Sequence, residues 1–263
     1  MRTLVPARLF GPMLAAALAV GLGSGAQAAT VNLTSFNRAD LAAARQAGKD
    51  FLAGQKVSNL HVETFEGKPA WNGSSGTTNP QNTKVGSFTS ITDLGHGAGH
   101  SVINGGAGLE VRGDNDMAWG RYNADELAPG VGGEWLDSND TQGMRWDIAG
   151  LGKFNTLSFF LIDAADVGAQ FSIKVGDTLF SQILGAGGRT LDGNIQLVTI
   201  LLDSTVDSLS VALFNDRLND GFGVDGAMVA HVAPVPVPPA AALLVSGILA
   251  FGAFRRRRGA AAI

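Results

Sequence analysis

The sequence predicts a mainly β fold, an antiparallel sandwich, on three observations. Hydrophobic residues alternate in twos, as in Phe171-Ser172-Ile173-Lys174-Val175 and Leu209-Ser210-Val211-Ala212-Leu213. Residues 157–162 and 197–202 are continuous apolar runs, the pattern of strands covered on both faces. Glycine clusters at 95–99, 105–108, 130–133 and 185–188 separate such segments, as turns separate short strands. A jelly-roll-like order suits the length and the early strand that carries Phe65-Glu66-Gly67.

The chain opens with a secretory leader. Arg2 and Arg8 give a positive start, 13–22 is an apolar core, and Ala26-Gln27-Ala28 is a small-x-small cleavage site. Residues 1–28 are therefore read as a signal peptide cut by signal peptidase after Ala28. A short helix is expected over 38–53. Asn37 can cap it, Asp40 follows three residues later, Leu41, Ala44 and Phe51 fall near one face, and Gly54 ends it. Strands are then expected at 57–65, 85–91, 108–112, 133–136, 144–148, 157–162, 171–175, 197–202, 209–213 and 221–232.

The last thirty residues form a different module. Val235-Pro236-Val237-Pro238-Pro239 is a proline-rich hinge, 241–254 is apolar, and Arg255, Arg256, Arg257 and Arg258 make a basic cluster. The expected transmembrane helix is short, fifteen residues over 240–254, against the roughly 20 that a helical span needs. Four consecutive arginines belong on the cytoplasmic side, which places everything before them outside. An ordinary tail anchor and a transient stop-transfer segment are both consistent with this pattern.

The tail resembles the PEP-CTERM class of bacterial sorting signals, most closely its Val-Pro-Leu-Pro-Ala variant. Here Val237 stands for Leu and Pro239 for Ala. The resemblance covers about 234–258. It implies an exosortase-type transpeptidase as partner, an inner-membrane-anchored intermediate, and a final place at the cell surface, in the outer envelope or outside the cell. The preceding domain also resembles the β-sandwiches that accompany such tails. The matching stretches are Thr64-Phe65-Glu66-Gly67, Trp135-Leu136-Asp137-Ser138-Asn139-Asp140 and Asn219-Asp220-Gly221-Phe222-Gly223-Val224-Asp225-Gly226. In such systems sorting commonly accompanies exopolysaccharide production, so a matrix partner is implied.

Residues 29–233 form the expected ectodomain. Two of the 19 basic residues lie in the leader and four in the tail, so thirteen remain there against all 23 acidic ones, a formal charge of −10. Such a surface disfavours nucleic acid and suits cations. No cysteine is present, which excludes a disulfide framework and thiolate chemistry.

Several groups could carry chemistry. Glu66 on an early strand and Asp225 on the last one are placed to share a structural Ca²⁺ if those strands are neighbours, as in carbohydrate-binding-type jelly rolls. Ca²⁺ takes six to eight hard oxygens. Asp137-Ser138-Asn139-Asp140 has half the spacing of a calcium loop, but Gln142 and Ile148 occupy the sixth and twelfth positions, so an Asx-rich turn is expected. Asp163 and Asp166 follow the buried run, as a strand-end turn or as a carboxylate pair of the kind that hydrolyses glycosides. His96 and His100 lie four apart in a glycine-rich loop that lacks the zinc-protease Glu. Trp71 and Tyr122 are offered as sugar contacts, and Trp135 and Trp146 as core. The expected function is a non-enzymatic, exported surface protein associated with exopolysaccharide. A lectin-like module is the alternative, and a glycoside hydrolase using Asp163 with Asp225 is a third reading.

Overall fold

The computed structural model describes residues 28–67, 81–91, 109–113, 120–124, 133–139, 141, 143–217 and 220–233. The fold is mainly β and antiparallel, with one short helix. In chain order the elements are β1 (Ala29–Phe36), α1 (Leu41–Ala53), β2 (Val57–Glu63), β3 (Gln81–Thr83), β4 (Gly86–Ile91), β5 (Glu110–Arg112) and β6 (Trp135–Asp137). They continue with β7 (Gly143–Ile162), β8 (Phe171–Val175), β9 (Thr178–Leu184), β10 (Ile195–Asn215) and β11 (Gly223–Val232).

Two long strands organise everything else. β7 has 20 residues and β10 has 21, and they pair along most of their length. A straight strand rises about 3.3 Å per residue, which would put Trp146 and Phe159 about 43 Å apart. Their rings are 6.0 Å apart and edge-on. β7 therefore folds back over itself, and Gly150 and Gly152, at φ +75° and +76°, take the bend. β10 turns with it, where its register with β7 slips between Leu201 and Ser208.

The sheet thus doubles into two layers. One holds β1, the first half of β10, the second half of β7, then β11, whose far edge pairs with β2 and with β6, which in turn pairs with β5. The other holds β9, β8, the second half of β10, the first half of β7, β4 and β3. Where the sequence reads separate strands at 144–148 and 157–162, and at 197–202 and 209–213, each pair is one bent strand. The glycines of 149–152 and the polar residues of 203–208 look like turns, but the ladder continues on either side of them.

The core between the layers is aromatic. Phe65 meets Phe88 at 5.8 Å, Phe88 stacks on Trp146 at 5.2 Å, and Trp146 meets Phe159. Phe171 and Phe222 make a second edge-on pair at 5.0 Å. The indole N–H of Trp146 donates to the Val85 carbonyl at 3.0 Å, so burial leaves no orphan donor on that ring.

The expectation of strands covered on both faces holds for 157–162, with a specific cause, whereas in 197–202 Leu201 stays 39% exposed. Leu157, Phe159 and Leu161 point into the inter-layer core, while Phe160 and Ile162 point the other way. That outer face is roofed by α1 through Ala44, with Leu41 and Ala47 at its margin. Gly48 lets the helix approach, because a Cβ there would sit 3.0 Å from the Phe160 ring. The helical segment begins with a 3-10 turn over Arg38–Asp40, so the two pieces cover the predicted 38–53. Asn37 occupies the cap position but makes no side-chain cap hydrogen bond. The strands β1, β3 and β9 are absent from the sequence reading; β1 alternates weakly and is only half-buried.

The chain divides into two compact units, Met1–Val232 and Ala233–Ile263. The leader up to residue 27, with Ala26, and the whole tail from 234 lie outside the described residues. Among the described residues no helix is long and apolar enough to cross a membrane.

Candidate functional site

The apolar run of β7 ends at Ile162, and the next residue is an aspartate. Asp163 and Ala165 both adopt positive φ, +61° and +64°, so the chain leaves the sheet through a tight, strained corner. The 190–194 segment, which leads into β10, holds that corner. Asp163 donates its N–H to the Asn194 carbonyl at 2.8 Å, and its Oδ1 accepts from the Gly193 N–H at 2.6 Å. Thr190 Oγ1 donates to the Ala164 carbonyl at 2.7 Å, and Asn194 Nδ2 does so at 3.1 Å. These bonds bring Asp192 alongside.

Carboxylate oxygens of Asp163, Asp166 and Asp192 consequently lie within 4.8 Å of one another. Asp163 is buried, Asp166 half-buried and Asp192 exposed, so the group opens to solvent on one side. Gly120 closes the other. A Cβ there would lie 2.6 and 2.7 Å from the Asp163 oxygens and collide with Asp192. A fourth carboxylate, Asp220, is buried beneath and receives the Ala169 N–H at 2.9 Å.

The electrostatics are unfavourable for charge. Burial pushes Asp163 up to about 8, aided by Asp166 and Asp192 and opposed by the Gly193 N–H and Arg121. Burial, with Asp220 and Asp192, pushes Asp166 up to about 6. Burial also raises Asp220, against backbone N–H groups of Ala169, Val167 and Ala165. Arg121 faces several of these groups, but its guanidinium also pairs with Asp137 at 3.4 Å. Asp137 in turn binds Arg112, which pairs with Glu110 at 2.9 Å. Crowded carboxylates can be relieved by a proton or by a hard cation, and the oxygen donor set fits Ca²⁺.

The residues expected from sequence are distributed as follows. The strand neighbourhood expected for Glu66 and Asp225 exists, since β2 pairs with β11 and Glu63 lies opposite Ala227. Glu66 lies beyond the end of β2 and accepts the Glu134 N–H at 3.0 Å. Asp225 is fully buried and accepts the N–H groups of Ala124 at 2.9 Å and Gly226 at 2.7 Å. Neither belongs to the convergent trio. Tyr122 is buried in the cluster beneath α1. Its hydroxyl donates to the Gly193 carbonyl at 2.9 Å, and Arg38 lies 5.0 Å over its ring. Burial pushes its hydroxyl up to about 12. A stacking platform needs an open ring face, and one face here is taken. Trp71, His96 and His100 lie outside the described residues, as do Val235, Pro236, Val237, Pro238, Pro239, Arg255, Arg256, Arg257 and Arg258. Ala28 is described, and its carbonyl accepts the Asp203 N–H at 3.1 Å.

Sequence reasoning found Asp163 and Asp166 as a pair and missed Asp192 and Asp220. The Asp192-Gly193 dipeptide before the apolar run of β10 is a turn signal that would have placed Asp192 at a strand end. Nothing local marks its closeness to Asp163, 29 positions earlier.

No family model, curated protein or solved structure matches the chain.

Proposed function

We propose that the chain is an exported bacterial surface protein whose C-terminal module is an exosortase-type sorting signal. On this reading signal peptidase removes 1–28, the tail holds an inner-membrane intermediate, and a transpeptidase then cleaves near 236–239. The domain is a jelly-roll-like sandwich and a non-enzymatic component of an exopolysaccharide matrix, carrying a structural Ca²⁺ at the Asp163, Asp166 and Asp192 cluster. One observation carries the reading: the ladder of β11 ends at Val232, and the chain divides between Val232 and Ala233, directly before the proline-rich hinge. A detachable sorting module requires such a break.

The test is mass spectrometry of the C-terminus of protein recovered from its own cells, with fractionation. A terminus near 235–240 in the outer envelope or medium supports the reading. An intact Arg255 to Arg258 end in the inner membrane overturns it in favour of a tail anchor.

A further inference from the structure

A small pocket of about 260 Å³ opens between the end of β1, the 3-10 turn and the segment that joins β9 to β10. The geometry points to a binding site for one neutral sugar unit, at a place the sequence reading did not consider. It rests on the matrix reading, and supplies the contact that reading needs.

The floor is polar and fixed. Asn194 and Gln196 are 4% and 3% exposed. Ser35 Oγ donates to Gln196 Oε1, Gln196 Nε2 donates to Asn194 Oδ1 at 3.1 Å, and Asn194 Nδ2 donates to Thr190 Oγ1 at 3.1 Å. These bonds lock the amides in one orientation. Each amide oxygen has two lone pairs and each amide nitrogen two hydrogens, so the Gln196 amide keeps acceptor and donor capacity beyond the bonds named. Sugar hydroxyls donate and accept at once, which is the chemistry such a mixed, preorganised floor suits.

The walls are apolar. Phe36 is half-buried, and Leu191 is 65% exposed, the most exposed of the large hydrophobic side chains described. An isolated leucine held out at the lip of a polar-floored pocket offers a surface for the C–H face of a pyranose. Asn37 and Asp40 stand exposed at the rim, and neither makes a side-chain cap hydrogen bond to the helix it precedes.

Size and charge narrow the ligand. The volume falls just below the roughly 300–1,000 Å³ typical of pockets for larger molecules, so a single ring or a chain terminus fits. Asp40 is the charged side chain on the lining, Asp192 lies next to Leu191, and the domain carries −10. Arg38, in the same 3-10 turn, is drawn over the Tyr122 ring, so these charges oppose uronate, sulfate or phosphate groups and point to a neutral glycan.

The test uses the protein as purified from its own cells, applied to an array that carries neutral mono- and oligosaccharides and dextran beside alginate oligomers. Expected is retention on at least one neutral glycan, and none on alginate. Asn37→Ala with Asp40→Ala, and separately Leu191→Ala, should weaken retention by about tenfold or more. All three positions are exposed, so the melting temperature should not change. Binding unaltered in both variants, preference for alginate, or no retention on any neutral glycan would each refute the pocket. The two readings fail separately. Protein with a cleaved tail that keeps its glycan binding in both variants sinks the pocket alone. Protein with an intact tail in the inner membrane sinks the surface reading whatever the array shows.

Discussion

The two ends of β7 meet opposite environments. Near its start Trp146 lies flat on Phe88 and edge-on to Phe159, with its N–H satisfied. Just past its end Asp163 is equally buried, and there burial, aided by neighbouring carboxylates, raises its pKa and favours its protonated form. The first region is built for stability: its rings pack on one another and the indole N–H is paired. The second is built with a deficit of positive charge, and its energy depends on what solution supplies. Structure and responsiveness are thus separated along one strand.

The largest effect should come from the aromatic end. Trp146→Ala removes a fully buried ring and its hydrogen bond and should lower stability by about 3–5 kcal/mol, read by urea denaturation. A loss under about 1 kcal/mol would mean that the layers are not held together by this stack.

At the carboxylate end the solution conditions should matter as much as the residues. Asp163 is raised from 3.8 to about 8 and Asp166 from 3.8 to about 6, so the folded state binds more protons than the unfolded one across those windows. The contribution of these two groups to stability in chelator is therefore fully present below about pH 4, falls as pH rises, and is lost above about pH 8. Added Ca²⁺ should replace the protons and restore it. If Ca²⁺ is present at about 100 times its Kd, the gain is about 2.7 kcal/mol, measured as a melting shift at pH 8. Asp163→Asn should flatten the pH profile and reduce the Ca²⁺ gain. A profile that stays level in the wild type, with or without Ca²⁺, would remove the contrast between the two ends.

Gly120→Ala probes the same end without changing charge. At φ +92°, with a Cβ driven against Asp163 and Asp192, it should cost about 1–3 kcal/mol. The penalty should be larger in Ca²⁺ than in chelator, since the methyl displaces the oxygens that would bind the ion.

The smallest effect is expected from the exposed pair on the same strand. Arg145 and Asp147 are 2.7 Å apart, with side chains 55% and 40% exposed. Arg145→Ala should change stability by less than about 0.5 kcal/mol, and less still in high salt.

Alternation and apolar runs marked most strands, because a strand's burial pattern is written in its own residues. Phe171-Ser172-Ile173-Lys174-Val175 became β8 with the same bounds. Ser172 is nonetheless buried, its hydroxyl accepting the Gln182 N–H at 3.0 Å, which no pattern of two announces. The helix over 38–53 was likewise legible from spacing and a terminal glycine. The bends of β7 and β10 were not, since a glycine that bends a paired strand and a glycine that ends one look alike in sequence.

By itself, then, the sequence determined the class of fold, the place of the helix, and the run 157–162 covered on both faces. Each of these follows from neighbours within a few positions. The tertiary structure alone decided that two pairs of strands are single bent ones, that Tyr122 lies beneath α1, and that Asp192 and Asp220 join Asp163 and Asp166. Those facts depend on which distant segments the doubled sheet brings together, and no local pattern carries a distance across thirty or sixty residues.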